Sequence, residues 1–204
     1  MSDIVEVEVA IRGVRPMLMH NGELCDPTNE FVRKLKQLTS LPAKRKTDAT
    51  LEDMRRTEWE GGLYLDDEGR LALPADVVLA SLEEGAKGQR KSKDASAAIF
   101  CDDEHFPLDY EGKLPSGKFE FDKFYDQKRF VHYKRAVLNG RTSIMRTRCR
   151  LYGWSCVYRV KVLTDIANWR DIEEWARYNG RRCGIGDWTP RYGRYEVESC
   201  KEVS

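Results

Sequence analysis

The chain has 204 residues, of which 41% are hydrophobic, enough for one domain with a buried core. Its apolar runs are far shorter than the roughly 18 residues of a membrane span, and its acidic, strand-like N-terminus does not resemble a signal peptide, so we expect a cytoplasmic protein. The net charge of +1 conceals a division, because residues 1–127 contain 18 Lys and Arg against 26 Asp and Glu, whereas residues 128–194 contain 16 against 5. The basic C-terminal third indicates a polyanion-binding surface.

The cysteines and histidines form no metal-binding pattern. Six cysteines occur without a CxxC pair, and His20, His105 and His132 are scattered along the chain. We therefore expect reduced thiols, no metal site and no cofactor. His105 stands beside acidic residues 102–104, a grouping that fits either a catalytic or metal site or an ordinary acidic loop.

The first 62 residues predict a strand followed by a helical insertion. Apolar and acidic residues alternate from Ile4 to Val14, the pattern of a half-buried strand. Asp26-Pro27 predicts a helix start, with one apolar face through Leu38, and a second helix is predicted at about residues 50–59. We interpret residues 26–62 as an insertion into the domain. Three roles for it are open: a lid over a ligand groove, a contact arm onto a neighbouring copy, or a satellite that only packs on the domain.

A hairpin and a core helix are predicted next. Acidic turn residues 66–69 separate two short apolar stretches. Pro74 then opens a helix with apolar residues at the spacing of a buried face. That face comprises Val78, Leu79, Leu82 and Ala86.

A basic segment at residues 87–97 is rich in small residues and lacks periodicity, which predicts a mobile loop. Its cations are Arg90, Lys91 and Lys93. Two interpretations are open: these side chains close on a bound nucleic-acid strand, or they belong to a solvated surface loop. Beyond this segment, residues 98–110 predict a short strand with an acidic turn, and residues 113–126 predict a loop with aromatic anchors.

Two basic strands are predicted at residues 130–151, joined by Asn139-Gly140, the strongest short hairpin signal. The second strand carries three arginines on one face, namely Arg146, Arg148 and Arg150. Their mutual repulsion is relieved if an anion lies across them, and with Tyr133 and Arg135 on the partner strand they form a predicted phosphate track with a stacking surface. The alternative is a solvated face with acidic partners from a neighbouring element.

The last fifty residues predict a strand, a helix, a glycine-rich loop and a final strand. Alternation over residues 154–163 predicts the strand, and Asn168 is expected to cap a helix with Asp171 in its first turn and with Gly180 at its end. The loop that follows combines glycine with arginine and suits a phosphate chain. Its predicted contact residues are Arg181, Arg182, Gly184, Gly186, Trp188, Arg191, Tyr192, Gly193 and Arg194. Packing within their own domain is the alternative for Trp188 and Tyr192.

The run Gly-Ile-Gly-Asp-Trp-Thr-Pro-Arg-Tyr-Gly-Arg-Tyr-Glu-Val at residues 184–197, after a strand and a helix, resembles the C-terminal glycine-rich signature of the RAMP superfamily. Residues 70–85 resemble the first strand-to-helix junction of that family, with Ala75 and Asp76 in place of the usual glycine and serine. The resemblance implies an α+β, ferredoxin-like (RRM-like) fold, in which an antiparallel sheet carries helices on one face. It implies one domain over residues 1–204.

The sequence is most similar to stand-alone RAMP members that resemble CRISPR backbone subunits and are carried by phages and prophages. This resemblance implies a protein of a bacterial cell or phage-infected host that binds single-stranded nucleic acid and self-associates head to tail along the strand. RNA is favoured over DNA because the family mostly binds RNA, since stacking and charge do not distinguish the sugars.

Two other functions remain open. An RNA-processing endonuclease of the RAMP type needs a general base near a 2′-hydroxyl, for which His20, His132 and Lys134 are candidates that share no common spacing. A protein-interaction module or inhibitor would instead mimic a CRISPR backbone subunit. The sequence favours binding over catalysis.

Overall fold

The computed structural model describes residues 3–114, 116–138 and 142–203, which form nine strands and six α-helices. The strands are β1 (Ile4–Gly13), β2 (Met17–Met19), β3 (Ala72–Pro74), β4 (Ile99–Phe100), β5 (His105–Asp109), β6 (Val131–Leu138), β7 (Thr142–Leu151), β8 (Ser155–Leu163) and β9 (Tyr195–Val203). The helices are α1 (Glu30–Ser40), α2 (Asp48–Gly61), α3 (Ala75–Lys87), α4 (Ser92–Ala98), α5 (Phe121–Asp126) and α6 (Trp169–Arg182). No helix of this described part is both long and apolar enough to cross a membrane.

Residue contacts divide the chain into two compact units. The first comprises Met1–Met17, Leu65–Phe119 and Leu151–Ser204, and the second comprises Leu18–Tyr64 and Glu120–Arg150. The sequence predicted one domain with an insertion at residues 26–62. In the structure that segment belongs to the second unit, together with β6 and nearly all of β7.

The first unit is built on an antiparallel sheet in the order β3-β5-β8-β1-β9, with β4 also paired to β8. Helix α3 lies in the connection from β1 to β5, and α6 connects β8 to β9. The two helices pack against each other, and α6 also packs on β1 and β9. This order of strands and helices is the ferredoxin-like arrangement, so the predicted α+β fold is confirmed.

The alternation predicted for β1 is present in the sheet. Val7 and Val9 are fully buried, and they pair with Val160 and Tyr158 of β8. On the opposite face, Glu8 lies between two cations, with one carboxylate oxygen 2.9 Å from Arg159 Nη2 and the other 3.0 Å from Lys201 Nζ. Ion pairs therefore cover this part of the outer face of the sheet.

Both core helices of the first unit begin where the sequence predicted. Pro74 precedes α3, and the buried face of that helix includes Val78, Leu82 and Ala86, while Leu79 is half-buried. Asn168 caps α6 in a capping box with Asp171. The predicted end of α6 at Gly180 is wrong, because the helix continues to Arg182. Gly180 instead allows close packing, since a Cβ there would collide with the carbonyl oxygen of Tyr195.

Residues 87–97 do not form the aperiodic loop expected from their composition. Helix α4 occupies Ser92–Ala98, with Ala95 and Ala98 buried. Of the small residues that suggested a loop, Ala95 lies on the buried face of this helix, whereas Gly88, Ser96 and Ala97 are exposed. Mobility of the segment stays a prediction.

The second unit contains the paired helices α1 and α2 and a three-stranded sheet in the order β2-β7-β6. Its core includes Trp59, which donates from Nε1 to the carbonyl of Phe130 at 3.1 Å and packs edge-on against Tyr125. The antiparallel pairing of β6 with β7 confirms the predicted strand pair, and the Asn139-Gly140 turn lies outside the described residues.

Helix α1 begins later than the Asp26-Pro27 signal indicated. The cap is Asn29, whose side chain accepts from the amide of Phe31 at 2.9 Å. Asp26 is occupied by a local turn, in which its carboxylate accepts from the amide of Thr28 at 2.7 Å. The predicted aromatic anchoring near residue 120 is present, and part of that segment forms α5.

Candidate nucleic-acid interface

The glycine-rich loop of the first unit is closed on itself. Gly184 has φ +95° and Gly193 has φ +72°, and the amide of Ile185 donates to the carbonyl of Gly193 at 2.9 Å. A Cβ at Gly193 would collide with the carbonyl oxygen of Ile185, and one at Gly184 would lie 2.9 Å from that of Tyr192. Both positions therefore need glycine for backbone packing, whatever the loop binds.

The loop is also fixed to the end of β1. The amides of Val14 and Arg15 donate to the carbonyl of Arg194 at 2.9 and 3.1 Å, and the amide of Gly193 donates to the carbonyl of Pro16 at 2.9 Å. These bonds join the C-terminal end of the loop to the segment that follows β1. Its side chains are therefore presented from a fixed backbone.

Two aromatic side chains, Trp188 and Tyr192, and two arginines, Arg191 and Arg194, lie on this loop, and Arg181 and Arg182 form the end of α6 before it. Trp188 and Tyr192 are half-buried, with ring centroids 6.2 Å apart and ring planes inclined by 31°. The guanidinium carbon of Arg191 lies 6.0 Å from the Trp188 ring centroid. Arg181, Arg182 and Arg191 are exposed, whereas Arg194 is half-buried. The loop thus offers cationic and aromatic surfaces in one place.

Elsewhere in the first unit, Lys91, the residue before α4, makes an ion pair with Asp171 of α6. Its Nζ lies 2.7 Å from Asp171 Oδ1, and this hydrogen bond raises the pKa of Lys91. Arg90 and Lys93 are exposed beside it. Of the three cations predicted in this segment, Lys91 thus has a structural partner, and the other two face solvent.

The arginines of β7 make contacts within the protein, and their predicted role as a phosphate track stays a prediction. Arg146 Nη1 lies 2.8 Å from Glu58 Oε1, and the Arg150 guanidinium donates from Nε and Nη2 to the carbonyl of Arg129 at 2.9 and 2.7 Å. Arg148 is buried, with 7% of its surface exposed. Glu58 is an acidic partner of Arg146 from a neighbouring element, which is the arrangement that the alternative interpretation describes.

Glu58 of α2 is a residue that the sequence analysis missed. Its second carboxylate oxygen accepts from the amide of Thr147 at 2.8 Å, so one side chain ties the helix to the backbone and to a side chain of β7. Arg55, one turn earlier on α2, lies 4.4 Å from the Tyr133 ring centroid. Neither contact could be predicted from the neighbouring sequence, because the two partners in each are far apart along the chain.

On β6, Tyr133 and Arg135 are exposed, as is Lys134 between them. Tyr133 is opposite Thr147, and Arg135 is opposite Met145 in the register with β7. These side chains remain accessible to a ligand.

The candidate catalytic histidines are differently placed. His132 is buried, with 2% of its surface exposed. His105 borders an acidic concavity of about 350 Å³ in the first unit, lined also by residues 66–68, Arg70 and residues 102–104. No group of three or more His, Cys, Asp or Glu within residues 3–114, 116–138 and 142–203 is arranged to hold a metal ion.

The thiols of the first unit show the effect of burial. Cys156 is buried in β8, and this burial raises its pKa to about 12. Burial likewise raises the pKa of Cys183, which caps the C-terminus of α6 beside the glycine-rich loop. Neither thiol is favoured as a thiolate nucleophile at neutral pH.

Comparison with known proteins gives a structural match. No family model matches the chain, and no curated protein matches its sequence. The chain is similar to a chain in the cryo-EM structure of the Type III-B Cmr-beta bound to cognate target RNA, with a TM-score of 0.52 and 10% sequence identity. The two chains therefore share a fold. The match covers 98% of this chain and 61% of the other, so the present chain spans only part of the length of the matched one.

Proposed function

We propose that the chain binds single-stranded nucleic acid, and RNA in preference to DNA. The observation that carries the proposal is the glycine-rich loop, where exposed Arg191 lies beside the Trp188–Tyr192 pair. Exposed Arg181 and Arg182 stand at the end of α6, directly before the loop. Arginine matches phosphate geometry, and aromatic rings stack on unpaired bases of any sequence. Since the matched cryo-EM structure contains target RNA, RNA is the first substrate to test.

In the structure, four of the predicted contact residues are buried or already bonded to other groups of the protein. Arg148 is buried, Arg146 and Lys91 have acidic partners, and Arg150 is bonded to a main-chain carbonyl. The other predicted cations are Arg90, Lys93, Arg135, Arg181, Arg182 and Arg191, which are exposed, and Arg194, which is half-buried. If about five to eight of the cations each meet one phosphate, log affinity should fall with log salt concentration with a slope of about −4 to −6.

The decisive experiment is an RNA titration of the full chain at two salt concentrations. Replacing Arg181 and Arg191 together by Glu should weaken binding at least tenfold at low salt and reduce the salt slope by about 1.4. The matched control replaces Lys44 and Arg45 by Glu, because both are exposed and the net charge changes equally. Equal affinity for the two double variants would refute the loop as the binding surface, and no affinity of the unaltered chain for any strand would refute the function.

We further propose that copies assemble head to tail along a bound strand, in the manner of CRISPR backbone subunits. The first unit carries both the basic loop and the acidic concavity at residues 66–68 and 102–104, which are complementary in charge. Light scattering should then show a mass that grows with oligonucleotide length. A complex of one chain per strand at every length would refute assembly while leaving strand binding intact.

A further inference from the structure

A cavity of about 310 Å³ opens in the second unit between the two helices and the β6–β7 strand pair. Its apolar walls come from Leu35, Leu51, Met54, Tyr133, Ile144 and Met145. Leu51, Tyr133 and Met145 are exposed large hydrophobic side chains, and all three border this one cavity. Clustered apolar exposure beside a concave site usually marks a binding site.

One wall of the cavity is a stacked pair. The Arg55 guanidinium carbon lies 4.4 Å from the Tyr133 ring centroid, and Arg55 Nη1 is also 3.2 Å from Glu52 Oε2. The ion pair and the cation–π contact together restrict the orientation of both groups. Tyrosine rings and guanidinium planes are the two surfaces on which unpaired bases stack.

The polar groups at the cavity favour a ligand with hydrogen-bond acceptors. Both oxygens of Glu58 already accept hydrogen bonds, one from Arg146 Nη1 and one from the amide of Thr147, each at 2.8 Å. A guanidinium carries five N–H donors, and the contact of Arg146 with Glu58 uses one of them. The others can donate to the ring nitrogens or carbonyl oxygens of a base.

The surrounding charge distinguishes a nucleic acid from an apolar peptide. Residues 128–150 contain eight Lys and Arg and no Asp or Glu. Lys134 and Arg135 are exposed on β6, directly opposite Arg146 and Met145 of the cavity wall. Phosphates on either side of an inserted base would match these cations, whereas an apolar peptide would leave them without a counter-charge.

We propose that this cavity receives an unpaired base of the bound strand, stacked on the Arg55–Tyr133 pair. The proposal rests on the proposed function, single-stranded nucleic-acid binding, and adds a base-binding site in the second unit to the phosphate-binding loop of the first. It also gives the helical insertion a role, because α1 and α2 supply one wall of the site.

The test uses the full chain and two RNA 12-mers of equal charge, one intact and one with abasic positions throughout. Tyr133→Ala should weaken binding of the intact strand about 5- to 150-fold, Tyr133→Phe should retain it, and neither should alter binding of the abasic strand. Met145→Glu should also weaken the intact strand. Its matched control is Val157→Glu, which places the same charge at an exposed strand position of the first unit, and circular dichroism establishes that each variant is folded.

A 4-thiouridine strand identifies the contact directly. Crosslinking followed by trypsin digestion and mass spectrometry should label peptides 130–134 or 142–146, which contain Tyr133 and Met145. Unchanged affinity of Tyr133→Ala with labelling confined to residues 184–194 would overturn the base site and leave the proposed function standing. An equal loss with the abasic strand would assign Tyr133 a structural role and would also overturn it.

Two further outcomes would also overturn the base site, each for a different reason. If Met145 becomes protected from oxidation with rising protein concentration in the absence of RNA, the surface is a contact between copies of the chain and the base site is overturned. If no strand binds the unaltered chain, the proposed function itself fails together with this site.

Discussion

Removal of Glu58 tests how the second unit is held together. Its side chain is 10% exposed and accepts from the amide of Thr147, which is itself buried, and from Arg146, whose side chain is 32% exposed. In Glu58→Ala the orphaned amide costs about 1–3 kcal/mol. The lost ion pair adds only about 0.5–1 kcal/mol, because the arginine is partly solvated. The free energy of unfolding should therefore fall by about 1.5–4 kcal/mol.

Glu58→Gln separates the two contributions, since an amide oxygen can still accept from Thr147 while the charge is lost. We expect a decrease of about 0.5–1 kcal/mol for this variant. The control is Asp53→Asn on the same helix, where the carboxylate lies 2.8 Å from Lys34 and the two side chains are 42% and 49% exposed. That change should cost less than about 0.5 kcal/mol.

Urea unfolding followed by circular dichroism at constant pH measures all three variants. The reasoning predicts the order Glu58→Ala, Glu58→Gln, Asp53→Asn from most to least destabilised. If Glu58→Ala unfolds within 0.5 kcal/mol of the unaltered chain, the bond to the Thr147 amide does not contribute as argued here.

The remaining predictions concern the first unit. Gly193→Ala places a methyl group against the carbonyl of Ile185 at a residue whose φ is +72°. The midpoint of urea unfolding should therefore fall by the equivalent of at least about 1–3 kcal/mol. An unchanged midpoint would contradict the loop geometry. Hydrogen bonds from Lys201 and Arg159 lower the pKa of Glu8, so its contribution to stability is present above the ordinary pKa of 4.5 and is lost as pH falls through the lowered value. Glu8→Gln should therefore have a lower free energy of unfolding than the unaltered chain at pH 7, and this difference should disappear at low pH. A difference in the free energy of unfolding that does not change with pH would show that Glu8 does not stabilise the fold through its ionised form.

Local chemistry made much of the first unit predictable. Two such features are the alternation in β1 and β8 and the capping of α6 by Asn168 and Asp171. Each depends on residues only a few positions apart, so it can be predicted from the sequence without tertiary information. Gly180 shows the limit of such signals. A glycine near a helix end predicts termination, but here it permits contact with Tyr195, and the helix continues.

The candidate site was predictable only in part. The glycine-rich loop lies in one continuous stretch, so its residue types could be recognised together, although their use by a ligand stays a prediction. The β7 arginines looked like a cationic face because alternation reports which side chains share a face and not what packs on that face. Glu58, contributed by α2, neutralises Arg146.

The sequence by itself determined the alternating strands, the capped helices and the turn chemistry from which a ferredoxin-like sheet is assembled, because those features depend on neighbours within about four residues. Only the tertiary structure decided which charges stay accessible and where a cavity forms. Glu58 and Arg146 are 88 residues apart in the chain, and Arg55 meets Tyr133 through the same approach of α2 to the β6–β7 strands. Burial and pairing are set by such long-range contacts, since the desolvation of a charge depends on everything packed around it.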